Sequence, residues 1–166
     1  MRTVDKLQQI QKIIATFPEQ TVVGRTRMQK TIYLLQRVGL ETAYEFNMHF
    51  YGPYSDELTT DLEIGGASGF LTENRSNTNE GLPSYSFTVH DVPSVEIPAQ
   101  VRNFLPLLSV QDPTILELAA TYDAFRQKGR TPEAALESLH LKKGYKCDNG
   151  RDQMAIGLLK ALGLEA

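Results

Sequence analysis

The sequence predicts an α+β, mostly helical fold: a winged-helix-like domain with a small antiparallel sheet over residues 1–92, and a C-terminal helical subdomain over residues 93–166 packed on it. Three observations predict it. Apolar residues recur at helical spacing through the N-terminal part. Two strand-like runs then flank a polar, turn-rich segment, as in a hairpin. After two prolines at Pro93 and Pro98, helical patterns with clear start signals fill the rest of the chain.

Val4, Leu7, Ile10, Ile14 and Phe17 form the stripe of a first helix, with Thr3 as its cap and Pro18 at its end. Gly24 opens a second helix, in which Met28, Ile32, Leu35 and Val38 share one face and Gly39 lies just past the end. Tyr44 to Phe50 alternates large and polar residues, so a half-buried strand is expected with Tyr44, Phe46, Met48 and Phe50 on one face. Ser55 is a good cap for a third helix, and Asp56 and Glu57 suit its positive end. Leu58, Leu62 and Ala67 face inward, and Gly65-Gly66 limits the helix. Gly69 to Thr72 is expected as a strand, Glu73 to Pro83 as the hairpin tip and Tyr85 to Val89 as the returning strand. Val101 to Val110 is a short apolar piece broken by Pro106. Asp112-Pro113 and Thr131-Pro132 start two helices, and Asn149 or Gly150 precedes a last one carrying Met154, Leu158 and Leu162.

Hydrophobic residues make up 41% of the chain, enough for a sizeable core. The net charge of -3 argues against a protein whose main role is to wrap phosphate backbones. One cysteine, Cys147, excludes an internal disulfide framework. Met1 to Lys6 has no apolar run of a signal peptide and no stretch is long and apolar enough to span a bilayer, so the expectation is a cytoplasmic protein without a membrane role.

No constellation points to catalysis, and no metal or cofactor is expected. His49, His90 and His140 lack a second ligand at metal spacing. Asp56, Glu57 and Asp61 are the carboxylates a hydrolase or nuclease would use, but the helix dipole explains the first two. The second helix holds Arg25, Arg27, Lys30 and Arg37 with no acid between Gly24 and Val38. In a winged helix, however, the helix before the hairpin enters the major groove, and here that helix carries Asp56, Glu57, Asp61 and Glu63 and no base. Between strand and third helix lies Tyr51-Gly52-Pro53-Tyr54. Gly52 permits a backbone angle other residues resist and Pro53 fixes the next, so this corner is expected to set the angle between the two elements.

The segments GRTRMQKTIYLLQRVGL, residues 24–40, and FNMHFYGPYSDELTTDLEIGGASGFL, residues 46–71, resemble the YwgA-like proteins, and ILELAATYDAF in the helical tail is similar to them too. These look related to the Panacea domain of SocA-like antitoxins and to part of some antitoxins of DNA-modifying toxins. The resemblance implies a non-enzymatic winged-helix-like module that binds another macromolecule. The first expectation is therefore a regulatory or antitoxin-like module for another protein, a toxin, effector or regulatory complex, with oligomers allowed. Its contact surface is expected at Arg25, Arg27, Lys30, Tyr51, Tyr54, Asp56 and Asp61. The alternative is a transcriptional regulator that binds double-stranded DNA through Arg25, Arg27, Lys30, Arg37 and Arg75.

Overall fold

A computed structural model describes residues 1–166. The chain is α+β. It runs α1 (Thr3–Ile14), β1 (Thr21–Val23), α2 (Arg25–Arg37), β2 (Asn47–His49), β3 (Gly52–Tyr54), α3 (Asp56–Ala67), β4 (Thr72–Asn77) and β5 (Pro83–Thr88). Five more helices follow: α4 (Ala99–Arg102), α5 (Leu105–Ser109), α6 (Pro113–Gln127), α7 (Pro132–Lys143) and α8 (Arg151–Ala161). Two single-turn 3-10 segments, Pro18–Gln20 and Gly144–Cys147, join α1 to β1 and α7 to α8.

The start signals act as expected. Ser55 Oγ accepts from the Leu58 amide, Asp112 from Thr114 and Thr131 from Ala134, so each side chain satisfies an orphan N–H of its helix. The exception is α1, where Thr3 is the first helical residue and the backbone N–H and guanidinium of Arg2 both donate to the Asp5 carboxylate across the start.

The strands differ from expectation in three places. First, β1 is a strand the spacing did not announce; it joins β5, so the sheet order is β1-β5-β4, all antiparallel. Second, β4 occupies Thr72 to Asn77 and so takes in the first part of what reads as loop, Glu73 to Asn77, because its polar side chains face solvent on a sheet covered on one side only. The tip shrinks to residues 78–82. Third, the strand expected over Tyr44 to Phe50 is cut to Asn47–His49, and Gly52-Pro53-Tyr54 is no corner but the partner strand β3.

One core of 35 buried hydrophobic residues runs from Ile10 to Leu162 and crosses the expected boundary at 92/93 without a break. At its centre α2 packs on α6. Met28 to Leu35 are all buried, Gln29, Lys30 and Thr31 included, so α2 is enclosed on every side rather than along one stripe. α6 is buried nearly throughout as well.

Candidate functional site: a pinned hairpin and its lysines

The β2–β3 hairpin pairs Asn47 with Tyr54, Met48 with Pro53 and His49 with Gly52, leaving Phe50 and Tyr51 at the tip. Neither tip residue has a positive φ; the positive value, +99°, falls on Gly52. A glycine that completes the turn is what lets two aromatics occupy the tip itself. Gly52 is also needed for space: a Cβ there would overlap Oγ1 of Thr121 on α6 and lie 3.5 Å from Cε of Lys30.

Pro53 has no N–H to give the ladder, but its carbonyl is used. Lys30 Nζ, on the buried α2, donates to it at 2.7 Å. Lys143 Nζ, at the end of α7, donates to the Phe50 carbonyl at 3.1 Å. Two lysines from opposite halves of the chain thus hold the hairpin backbone from beneath. Between them sits Glu117 of α6, 4% exposed, which pairs with Lys143 at 2.9 Å and with Lys146 at 3.0 Å. Burial pushes the Lys30 ammonium down to about 8; attraction to Glu117 opposes that shift and repulsion from Lys143 adds to it. Lys143 is lowered in the same way, first by burial, with Lys146 and Lys142 repelling it.

Above this centre the surface is aromatic. Phe50 is 80% exposed, Tyr145 76% and Tyr51 53%. The Phe50 and Tyr51 rings meet edge to face at 4.9 Å, and Lys146 Nζ lies 5.2 Å from the Tyr51 ring. Phe50, Tyr51, Tyr145, Lys142, Lys143 and Lys146 line one open groove. A second groove between α6, α7, α8 and the C-terminal residues is crossed by the Arg126–Glu165 ion pair, whose groups satisfy each other.

Several expected site residues lie elsewhere. Lys30, placed in both expected surfaces, is 1% exposed and directed at the hairpin. Arg37 Nε donates to Asp123 Oδ2 at 2.8 Å, alongside the Tyr33 hydroxyl at 2.7 Å, so it is held between α2 and α6. Arg27 bonds the carbonyls of Val23 and Gln111. Arg25 remains exposed, but it pairs with Glu73 and lies 3.7 Å over the Tyr85 ring. Arg75 stays exposed on β4. Asp61 is 8% exposed and accepts the Tyr44 hydroxyl at 2.6 Å, while Asp56 and Glu57 are exposed; the three carboxylates do not converge. Burial, reinforced by Asp61, raises the Tyr44 hydroxyl far above its usual range. Tyr54 is half-buried, stacked on His49 at 5.0 Å and bonded to Thr59 at 2.6 Å. Of the two tyrosines around Gly-Pro, only Tyr51 faces out. No group of three or more His, Cys, Asp or Glu side chains is placed to hold a metal ion.

Sequence reasoning missed Phe50, Glu117, Lys142, Lys143, Tyr145 and Lys146. One signal was available: KKGYK, residues 142–146, is a dense basic run around a tyrosine in a chain of net charge -3.

No family model matches the chain. It is similar to the uncharacterized protein YwgA of Bacillus subtilis (strain 168), with 27% identity over 107 residues, 60% of this chain and 63% of the relative. The likeness to YwgA-like proteins read from the motifs is thereby supported. No helix is long and apolar enough to cross a membrane.

Proposed function

We propose that the protein is a non-enzymatic binding module of regulatory or antitoxin-like type that engages another protein through the tip of the β2–β3 hairpin. One observation carries this reading: buried lysines from α2 and α7 hold the hairpin backbone while Phe50 and Tyr51 point away from the fold. A rigid support under exposed aromatic side chains is how an interface anchor is built, since little entropy remains to be lost on binding. The surface differs from the one expected between α2 and α3, because α2 is enclosed.

The wider kinship with Panacea domains of SocA-like antitoxins belongs to this proposal, as does the winged-helix assignment. The latter is supported by the order α1-β1-α2-α3-β4-β5 once the β2–β3 hairpin inserted between α2 and α3 is set aside, by the sheet order β1-β5-β4 and by the β4–β5 hairpin directly after α3. The same layout favours a second reading, a regulator that binds duplex DNA. That reading is left with Arg25 and Arg75 as phosphate contacts, beside the exposed acids Asp56, Glu57 and Glu63. It predicts weak binding that disappears with rising salt.

The test is a pull-down with the tagged full chain from lysate of its native host, read by mass spectrometry, against the double variant Phe50→Ser/Tyr51→Ser. Both replaced side chains are exposed, so the variant is expected to fold with an unchanged circular dichroism spectrum. Loss of the partners seen with the unaltered chain is the expected result. Retention of all of them would sink the reading.

A further inference from the structure

We infer that the segment this groove receives is an acidic, extended peptide stretch carrying apolar side chains; the inference rests on the hairpin tip being the binding surface. The first observation is an excess of positive charge. Lys30, Lys143 and Lys146 all lie within electrostatic reach of one carboxylate, Glu117, and Lys142 adds a fourth cation that repels Lys143. In a chain of net charge -3, that local excess is not a consequence of overall composition. It is concentrated under and beside the hairpin, where bringing in an anion removes repulsion the fold otherwise carries.

The second observation is the aromatic lining. Phe50, Tyr51 and Tyr145 offer apolar area between Lys142 and Lys146, so the groove matches a ligand that alternates carboxylate and apolar groups. Single-stranded nucleic acid also combines negative charge with flat apolar faces. The groove suits it less well. Lys143 is buried and already bonded to Glu117 and Phe50, and the half-buried Lys146 is bonded to Glu117 too, which leaves Lys142 as the ammonium group of this groove with no carboxylate partner. One unpaired cation beside one that shares Glu117 does not track a phosphate backbone over the several nucleotides such sites span, about four or more, whereas it suffices for a carboxylate of one short peptide segment set among apolar side chains.

The experiment is a selection from a random decapeptide library displayed on phage, on the immobilised full chain and in parallel on Lys142→Glu. Lys142 is exposed, so this variant leaves the buried centre intact; Tyr145→Ser serves as a second variant that keeps the charge. The expected result is enrichment of peptides rich in Asp and Glu with interspersed apolar residues, bound at least tenfold more weakly by Lys142→Glu and also weakened by Tyr145→Ser. Neutral or basic winners, no enrichment, or acidic peptides indifferent to both variants would overturn the inference. So would a short oligothymidine that displaces the selected peptides and binds more tightly than they do. The pull-down with Phe50→Ser/Tyr51→Ser is independent of these outcomes: partners lost there with no acidic selection here reject the peptide chemistry alone.

Discussion

Gly52 and Thr121 occupy one shared space: the missing side chain of the first is where Oγ1 of the second lies, and that hydroxyl donates to the Glu117 carbonyl at 2.7 Å. The hairpin can rest on α6 only because residue 52 has no Cβ. Two penalties therefore fall on Gly52→Ala, overlap with α6 and a φ of +99° that L side chains rarely adopt. Together they are expected to cost about 2 kcal/mol or more. The pair Gly52→Ala/Thr121→Ala should recover only part of the loss, since the backbone angle stays. Chemical denaturation of the two single variants and the double checks this; additive losses would show that the residues do not share the space.

Lys30 makes stability depend on pH in a particular direction. Its ammonium falls from 10.5 in the open chain to about 8 in the fold. Between those values the unfolded chain holds a proton that the native site has released, so stability rises with pH across that window. Below the lower value both states are protonated and the slope vanishes. Tyr33 and Tyr44 act oppositely above about pH 10, because burial beside Asp123 and Asp61 keeps their protons on in the native state. From about pH 8 to about pH 9.5, Lys30→Met should lose a rise of roughly 1 to 2 kcal/mol relative to the unaltered chain. Lys143, lowered as well, preserves a residual slope. Urea melts at several pH values decide it, and parallel curves for the two proteins would contradict the assignment.

Glu117 is the one carboxylate that answers the buried lysines. Glu117→Gln leaves Lys143 buried without its counter-charge and is expected to cost about 3 to 5 kcal/mol. Lys142→Ala, at an exposed neighbour, should change stability by no more than about 0.5 kcal/mol. Thermal melting of both variants gives the comparison; similar midpoints would refute the picture of a charged centre that holds the hairpin.

Asp56 and Asp61 lie on one helix and differ in consequence. Asp61→Lys would place an unmatched cation against the Tyr44 hydroxyl at a position 8% exposed, and loss of folding is expected. Asp56→Lys should remain folded and lose about 0.3 to 1 kcal/mol, the share of a carboxylate near a helix start. Circular dichroism separates the two outcomes, and a folded Asp61→Lys would show that the residue faces water.

Local signals in the amino-acid sequence determine much of this molecule. Capping by Ser55, Asp112 and Thr131 is an affair between a side chain and an amide two or three residues on, so spacing along the chain suffices to find it. The need for a positive φ near Gly52-Pro53 is legible for the same reason, and so is the likeness to YwgA. Strand limits are not: β4 is polar and solvent-facing, and β1 is three residues long, so neither leaves a pattern strong enough to read.

The fate of the cations on α2 was decided by tertiary structure alone. Helical spacing tells which residues share a face, but not whether a distant element will cover the opposite one. Here α6 covers it, so Arg37 meets Asp123 from 86 residues away and Lys30 reaches the Pro53 carbonyl from 23. A run that reads as a basic surface thus became internal framework. The surface cations lie instead beside the hairpin, where α7 and the 3-10 segment after it bring Lys142 and Lys146 into one groove with Tyr51. Such pairings depend on how helices pack across the core, and their charges carry no mark of it in the sequence, because an ammonium group has the same composition whether it faces water or a buried carbonyl.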